Sequence, residues 1–353
     1  MYKLLVINPG STSTKVSYFE DEKEVFSEKL EHHIDELKKF QKIFDQYEFR
    51  KKAVLQFLQN HSINEKELNA VVGRGGVLRP IPAGTYSVNE KMIEDLRNAI
   101  VEHASNLGPV MAYEIAKPLG IPAYTVDPVV VDEFPDIARI SGLKEINRRS
   151  RFHALNTRYV AKKRAEMLGK KIEDFNFIVA HLGGGISIVA FEKGRAVDVN
   201  DPSSSGPFSP ERPGGLPSID IVEMCYSGKL TKSEIKKKLM GEGGIVSYLG
   251  TNDLREVERR IDEKDEKAKL IFDAMAYQIA KDIVANATVL KGKVDEIIFT
   301  GGMSNSKRLI DLICERVKFL STKIFLFPGE MEQEALCFGA LSVLKGEEEV
   351  KIY

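Results

Sequence analysis

The feature that most limits the fold of this chain is a strand–turn–strand pattern that occurs twice. Leu4-Leu-Val-Ile-Asn-Pro-Gly-Ser-Thr-Ser-Thr-Lys-Val-Ser-Tyr-Phe19 has a partner in Phe177-Ile-Val-Ala-His-Leu-Gly-Gly-Gly-Ile-Ser-Ile-Val-Ala-Phe191. Each is an apolar run, a turn of Gly, Ser or Thr, and a second β-rich run. In both, roughly eight residues separate the polar residue that ends the first strand (Asn8, His181) from the middle of the second. The approximate repeat predicts two similar domains facing each other, each offering one turn to a shared cleft. A length of 353 residues accommodates two or three domains. No low-complexity linker marks a boundary.

Strand-like and helical runs alternate along the rest of the chain, the pattern of an α/β protein. Further strands are expected at 70–73, 122–126, 176–181, 186–191, 195–199, 295–300 and 323–327. Helices are expected at 35–59, 90–102, 109–118, 155–168, 231–240, 265–290 and 305–317. Ser87 with Glu90, and Thr231 with Glu234, have the spacing of a capping box.

Composition excludes several functions. The 51 Lys and Arg nearly balance the 52 Asp and Glu, so no basic field attracts nucleic acid or an anionic membrane. Any bound anion must meet a local device. No run approaches a membrane span. The short apolar start, soon broken by Asn8-Pro-Gly10, does not read as a signal peptide. Cys225, Cys314 and Cys337, odd in number and far apart, are expected to be reduced, buried thiols. These features predict a soluble cytoplasmic protein.

Neither G-x-x-x-x-G-K-[ST] nor a complete G-x-G-x-x-G after a strand is present, which removes the P-loop and dinucleotide readings. Three other Gly-rich turns remain. Asn8-Pro-Gly-Ser-Thr-Ser-Thr-Lys15 has more turn residues than a tight hairpin needs; backbone N–H groups, the hydroxyl of Ser11 and the charge of Lys15 suit phosphate oxygens. His181-Leu-Gly-Gly-Gly-Ile-Ser187 spends three glycines, Gly183, Gly184 and Gly185, on one turn, which points to close backbone approach to a ligand. Ile297-Ile-Phe-Thr-Gly-Gly-Met-Ser-Asn-Ser306 places Gly301, Gly302 and Asn305 between a strand and a helix start, a seat for an anion or nucleotide.

Isolated residues add to these loops. Arg74 in Val-Gly-Arg-Gly-Gly-Val and Arg212 in Pro210-Glu-Arg-Pro-Gly-Gly215 sit on stiff loops that suit oxyanion clamping. Asp127 before a proline and His153 in Arg151-Phe-His-Ala are open to either a structural or a chemical role. Glu330, Glu332 and Glu334 crowd one segment, as a partial Mg²⁺ site or an acidic helix start. His32-His33 and Lys236–Lys238 read as solvated faces.

Taken in order, these segments resemble the acetate and butyrate kinase family of the sugar kinase, actin and heat-shock chaperone superfamily, over nearly the whole chain. Asn8-x-Gly-Ser-Thr-Ser-x-Lys15 resembles its first phosphate loop and His181-Leu-Gly-Gly-Gly185 its second. Arg74, Asp127, His153 and Arg212 match its active-site residues; Asp253-Leu-Arg255 matches its adenosine-side segment. Gly301-Gly-Met-Ser-Asn305 is similar to its nucleotide loop, and Glu332 to its Mg²⁺-linked carboxylate. Departures point within the family: Gly73-Arg74-Gly-Gly stands where acetate kinases carry His-Arg before the glycine pair. His103-x-x-Asn106 and Gly108-Pro109 match only loosely. The Gly73–Tyr86 and Phe327–Leu336 segments resemble the butyrate-kinase branch.

The resemblance implies two ribonuclease H-like (actin-like ATPase) domains with a cleft between them. One spans residues 1–128 with a returning C-terminal helix over 336–353; the other, nucleotide-binding, spans 129–335. It implies ATP and ADP as substrates, a short-chain carboxylate as acceptor, Mg²⁺ on Asn8, Asp127 and Glu332, and a homodimer or larger assembly. A carboxylic acid is already ionised at neutral pH, so no base is needed. Arg74, Arg212 and His153 are then expected on carboxylate and phosphoryl oxygens, and Asp127 on the metal. An acetate or propionate kinase, a non-transferring actin-like ATPase and a sugar kinase are the competing expectations.

Overall fold

A computed structural model describes residues 1–99 and 101–353. The chain forms two compact units. The first comprises Met1–Asp132, Ala154–Tyr159 and Met331–Tyr353; the second comprises Glu133–His153 and Val160–Glu330.

The first unit is built on a seven-stranded sheet. From one edge to the other its strands are Lys351–Ile352, Thr85–Ser87, Ala123–Val126, Ala70–Gly73, Lys3–Pro9, Ser13–Glu20 and Lys23–Glu31. Period-2 alternation in Lys3–Pro9 sends Leu5 and Ile7 to one face and Leu4 and Val6 to the other. The first face packs on the helices Tyr47–Asn60 and Leu107–Leu119, through residues such as Phe57 and Met111. The second packs on the C-terminal helix Glu332–Leu344, through Leu336, Ala340 and Leu341. With both faces covered, the strand is buried almost along its length. Gln333 fixes that last helix to the sheet, its Nε2 donating to Ser17 Oγ at 2.8 Å.

The second unit has a five-stranded sheet in the order Lys323–Pro328, Glu296–Gly301, Asn176–Leu182, Ile186–Glu192, Arg195–Val199. Its core forms where Ile178, Ile188 and Phe299 meet the 24-residue helix Glu266–Val289. Arg164 grips Glu296 with Nε at 2.6 Å and Nη2 at 2.9 Å, a half-buried bidentate pair at the start of the strand Glu296–Gly301.

The two expected hairpins are present, with Asn8 opposite Lys15 and His181 opposite Ser187. The strands expected at 70–73 and 195–199 are present with those bounds. Several expectations need correction. The helix expected over 35–59 is broken into a short turn at Ile34–Leu37, a 3₁₀ turn at Ile43–Gln46 and a helix from Tyr47. Asp45 takes the backbone N–H of Lys42 at 3.2 Å, a local bond that competes with continuous helix. The helix expected over 90–102 ends at Arg97, and Ile100 within that range lies outside the described residues. Its cap is Asn89, whose Oδ1 accepts from Met92 N at 2.9 Å, because Ser87 is held in a strand. Thr231 and Glu234 do form their capping box. The helices Ser218–Tyr226 and Leu254–Asp262 and the edge strand Lys23–Glu31 were not expected; the first and the strand bury no residue, and the second buries only Leu254 and Val257 among mostly charged neighbours. Of the three thiols only Cys337 is buried; Cys314 is half-buried and Cys225 exposed on Ser218–Tyr226. His32, expected on a solvated face, is buried.

Candidate functional site

The first unit gathers three predicted residues from distant parts of the chain. Asn8 ends the first strand, Arg74 follows the strand Ala70–Gly73, and Glu332 begins the C-terminal helix. Asn8 Nδ2 donates to Glu332 Oε2 at 2.8 Å. Arg74 meets the same carboxylate as a fork, Nη1 to Oε2 at 2.9 Å and Nη2 to Oε1 at 2.8 Å. Arg74 Nη1 also donates to Asn8 Oδ1 at 3.3 Å, which closes the triangle. Parallel pairing of Ile7 with Gly73 brings the two strand ends together. Lys15 lies opposite Asn8 in the ladder, on the same face, and is exposed. Ser11 is exposed at the hairpin tip.

Asp127 stands apart from this triangle. It is 4% exposed and holds φ at 37°, a left-handed conformation costly for a residue with a side chain. The Gly84 N–H donates to its Oδ1 at 2.7 Å, and Arg158 Nε lies 3.3 Å from the same oxygen. The backbone donor and the buried arginine hold the side chain in this strained position. His103 is drawn toward neutrality by desolvation and by the Arg74 guanidinium. Asn106 holds the loop after Arg74, accepting Val77 N–H at 2.8 Å.

In the second unit the hairpin turn brings four predicted positions together. The His153 and His181 rings stack with centroids 4.0 Å apart and planes 14° off parallel. His153 Nδ1 is 2.9 Å from Ser187 Oγ, and the His153 backbone N–H donates to the same oxygen at 3.3 Å. Arg212 lies against the glycine turn: a Cβ on Gly185 would stand 2.4 Å from its Nη1, so only glycine admits the guanidinium. Desolvation lowers the Arg212 pKa, opposed by Glu211 and Asp201. Ser209 joins the two loops, donating to Gly184 O at 2.6 Å and accepting from Arg212 N at 3.1 Å.

Next to this turn is a cavity lined by Gly183, Gly184, Asp253, Arg255, Gly302 and Asn305, all predicted, together with residues that sequence reasoning missed. Asp253 caps the helix Leu254–Asp262 and forks with Arg255, Nε to Oδ1 at 3.0 Å and Nη2 to Oδ2 at 2.8 Å. Gly301, at φ 90°, is buried beneath the cavity floor; a Cβ there would stand 2.3 Å from Leu182 O. Glu211, Asn252 and Glu258 were not singled out. Asn252 Nδ2 donates to Glu211 Oε1 at 2.6 Å, and Ser306 Oγ to Glu258 Oε1 at 2.7 Å while capping Leu309 N at 3.0 Å. Their only sequence signal is proximity to predicted residues, Glu211 to Arg212 and Asn252 and Glu258 to Asp253.

Among the described residues no three His, Cys, Asp or Glu side chains converge as a metal cage. The carboxylate of Glu332 is occupied by the Arg74 fork, whereas Asp127 presents a buried carboxylate tied mainly through one oxygen. That donor set suits an ion needing one or two carboxylates and taking its other ligands from water and phosphate, as Mg²⁺ does. No described helix is long and apolar enough to cross a membrane.

Comparison with known proteins identifies relatives in sequence and in fold. A sequence model of the acetokinase family matches residues 143–328. A curated relative from Caldanaerobacter subterraneus subsp. tengcongensis, called a probable butyrate kinase 2, is 53% identical over 354 residues, covering 100% of both chains. Among solved structures, Porphyromonas gingivalis acetate kinase superposes with a TM-score of 0.81 at 21% identity, over 98% of this chain and 100% of that one. A propionate kinase from Francisella tularensis gives 0.77 at 20% identity, over 96% and 99%. The likeness is one of fold: two sheets in the two-domain architecture of actin-like ATPases.

Proposed function

The chain belongs to the acetokinase family, and from that premise we propose that it transfers the γ-phosphoryl group of ATP reversibly to butyrate or a branched short-chain analogue. One oxygen of the substrate carboxylate attacks the γ-phosphorus, the bond from that phosphorus to the ADP oxygen breaks, and acyl phosphate and ADP leave. The carboxylate is ionised at neutral pH, so the protein need only bring two anions together and stabilise charge on the phosphoryl group in flight.

The observation that carries this reading is the placement of the two arginines. Arg74 is forked and aimed beside Asn8 of the first loop. Arg212 is pressed into the glycine turn of the second. Held this rigidly, a guanidinium stabilises developing charge at little reorganisation cost. His153, set by Ser187, donates to the same oxygens. The nucleotide takes the cavity at Asp253, Arg255, Gly302 and Asn305, with its phosphates toward Gly183–Gly185. Asp127 holds Mg²⁺, with Asn8 and Glu332 acting on it through water. Bound there, the ion would supply positive charge that offsets the negative charge of the phosphates. The enzyme works in the cytoplasm as a homodimer or larger assembly; the helix Ser218–Tyr226, with exposed Ile219, Val222 and Tyr226 and no buried residue, fits such an interface.

The test is hydroxamate trapping of acyl phosphate across carboxylates of two to five carbons, with Mg²⁺ omitted as control. Butyrate or a branched four- or five-carbon acid should give the highest kcat/KM. A maximum at acetate or propionate would move the chain to that specificity. ATP hydrolysis indifferent to every carboxylate, with no trapped acyl phosphate, would leave a non-transferring ATPase.

A further inference from the structure

Beneath the first hairpin lies an arginine that the site described above does not use. Arg50, in the helix Tyr47–Asn60, is a fully buried side chain at 0% exposure. Its Nη1 donates to Gly10 O at 2.8 Å and Ser13 O at 3.0 Å, and its Nη2 to Ser11 O at 2.9 Å. Nε and Nη2 also reach Gln46 Oε1, at 3.1 and 3.0 Å, and Nη1 lies 3.3 Å from Thr14 Oγ1. Every one of these acceptors is neutral. Burial lowers the pKa only to about 10, so the group is a cation at neutral pH. A buried charge without a counter-ion is costly, and a fold retains one where its charge or its donors have a use.

The use is visible in the loop above it. Arg50 takes three of the four carbonyls of residues 10–13, and the backbone N–H of His32 takes the fourth, Thr12 O, at 2.8 Å. All four oxygens therefore turn inward. Ser11 and Thr12 form the exposed tip, and among the described residues no acceptor takes their N–H groups. A carbonyl on the outer face would repel an anion, whereas outward N–H groups attract one. His32 Nε2 sits 2.8 Å from Thr14 Oγ1, and burial and the Arg50 charge hold this imidazole neutral, at a pKa of about 4.

We propose that Arg50 is a positioning residue for phosphoryl transfer: it turns the loop's carbonyls away from the phosphoryl group and lends that group its uncompensated positive charge from behind. The assignment rests on reading Asn8–Lys15 as a phosphate loop. Arg50 itself touches no ligand.

The experiment compares the full-length wild type with Arg50→Met and Arg50→Lys. It uses steady-state kinetics with ATP and butyrate, circular dichroism, and the rise in Tm given by inorganic phosphate. In Arg50→Met, kcat is expected to fall about 10²-fold, as displacement of reacting groups by an ångström can cost. The KM for butyrate should change by no more than about threefold, the signature of a contact that matters in the transition state. The phosphate-dependent rise in Tm should disappear. Arg50→Lys keeps the charge but not the fork and should recover about tenfold of the lost kcat, charge being part of the effect. A folded Arg50→Met with kcat and phosphate response like the wild type overturns the proposal, and so does a variant whose Tm alone falls. If Arg50→Met does not fold, a folded Arg50→Lys with wild-type kcat and phosphate response overturns it equally. A wild type inert toward every carboxylate, whose phosphate response still vanishes in Arg50→Met, sinks the kinase reading and supports this one.

Discussion

The two hairpins share a topology but are braced in different ways. The turn after Lys3–Pro9 is supported from within the unit, by a buried cation that draws in the carbonyls of Gly10, Ser11 and Ser13. The turn after Asn176–Leu182 is braced from the side, with Arg212 against Gly185 and Ser209 bonded to Gly184 O. In the first, hydroxyl residues with ordinary side chains suffice, because the support lies behind the backbone. In the second, a side chain at Gly185 would occupy the space the guanidinium needs, so glycine stands there. An anion-directed turn can thus be made by orienting the peptide groups or by clearing a path to them.

The largest test of this contrast removes the loop arginine of each unit. Arg74→Gln and Arg212→Gln should each lower kcat by about 10²–10³, the usual cost of removing one preorganised donor to developing charge. Steady-state assay of both would check it; a loss below tenfold in either would show that its loop works without it. Next comes alanine at a glycine of each turn. A Cβ on Gly185 would meet Arg212 at 2.4 Å, whereas the nearest atoms to one on Gly10 are Ser13 O and Oγ at 3.6 Å, an ordinary contact. Gly185→Ala should lower kcat by about 10²-fold through a displaced guanidinium, and Gly10→Ala by several-fold at most. Equal losses would erase the distinction between the two kinds of bracing.

The smallest effect lies in pH. Burial, aided by Arg50, holds His32 of the first unit at about 4, below its ordinary 6.5. The unfolded chain therefore takes up that proton first, and stability from His32 is lost as pH falls from about 6.5 through 4. In the second unit burial raises Asp282 to about 6 from 3.8, with Asp198 adding to the rise and Arg148 opposing it. There the folded chain holds the extra proton, and stability is lost as pH rises from about 4 through 6. Tm against pH should become less acid-sensitive in His32→Gln and less sensitive above pH 4 in Asp282→Asn, each by an effect of order 1 kcal/mol. A shift of the same sign in both variants would contradict these assignments.

Much of the frame was legible beforehand because its signals are local. Short Ala- and Val-rich runs at Ala70–Gly73 and Arg195–Val199 mark the strands, and Thr231 with Glu234 marks a helix start within four consecutive residues. The predicted residues of the second unit fall on one turn and one adjoining cavity, since each glycine loop directly follows a strand of the same sheet. What escaped notice has no local signature. Glu258 and Arg50 look like any charged residue on an amphipathic helix. His32 in a pair of histidines looked solvated, and is buried because Thr14 and Phe49 close over it.

By itself the sequence determined two β-hairpins with turns rich in Gly, Ser and Thr, a balanced overall charge and a set of arginines beside Gly and Pro. These follow from residue type and spacing along a few residues of backbone. Only the tertiary structure decided that Arg74, 66 residues from Asn8 and 258 from Glu332, closes a triangle with both. It also decided that Arg50 is the support beneath the first turn. Each depends on parallel strand register and helix packing, which set where distant side chains meet, and no short stretch of the chain carries that information.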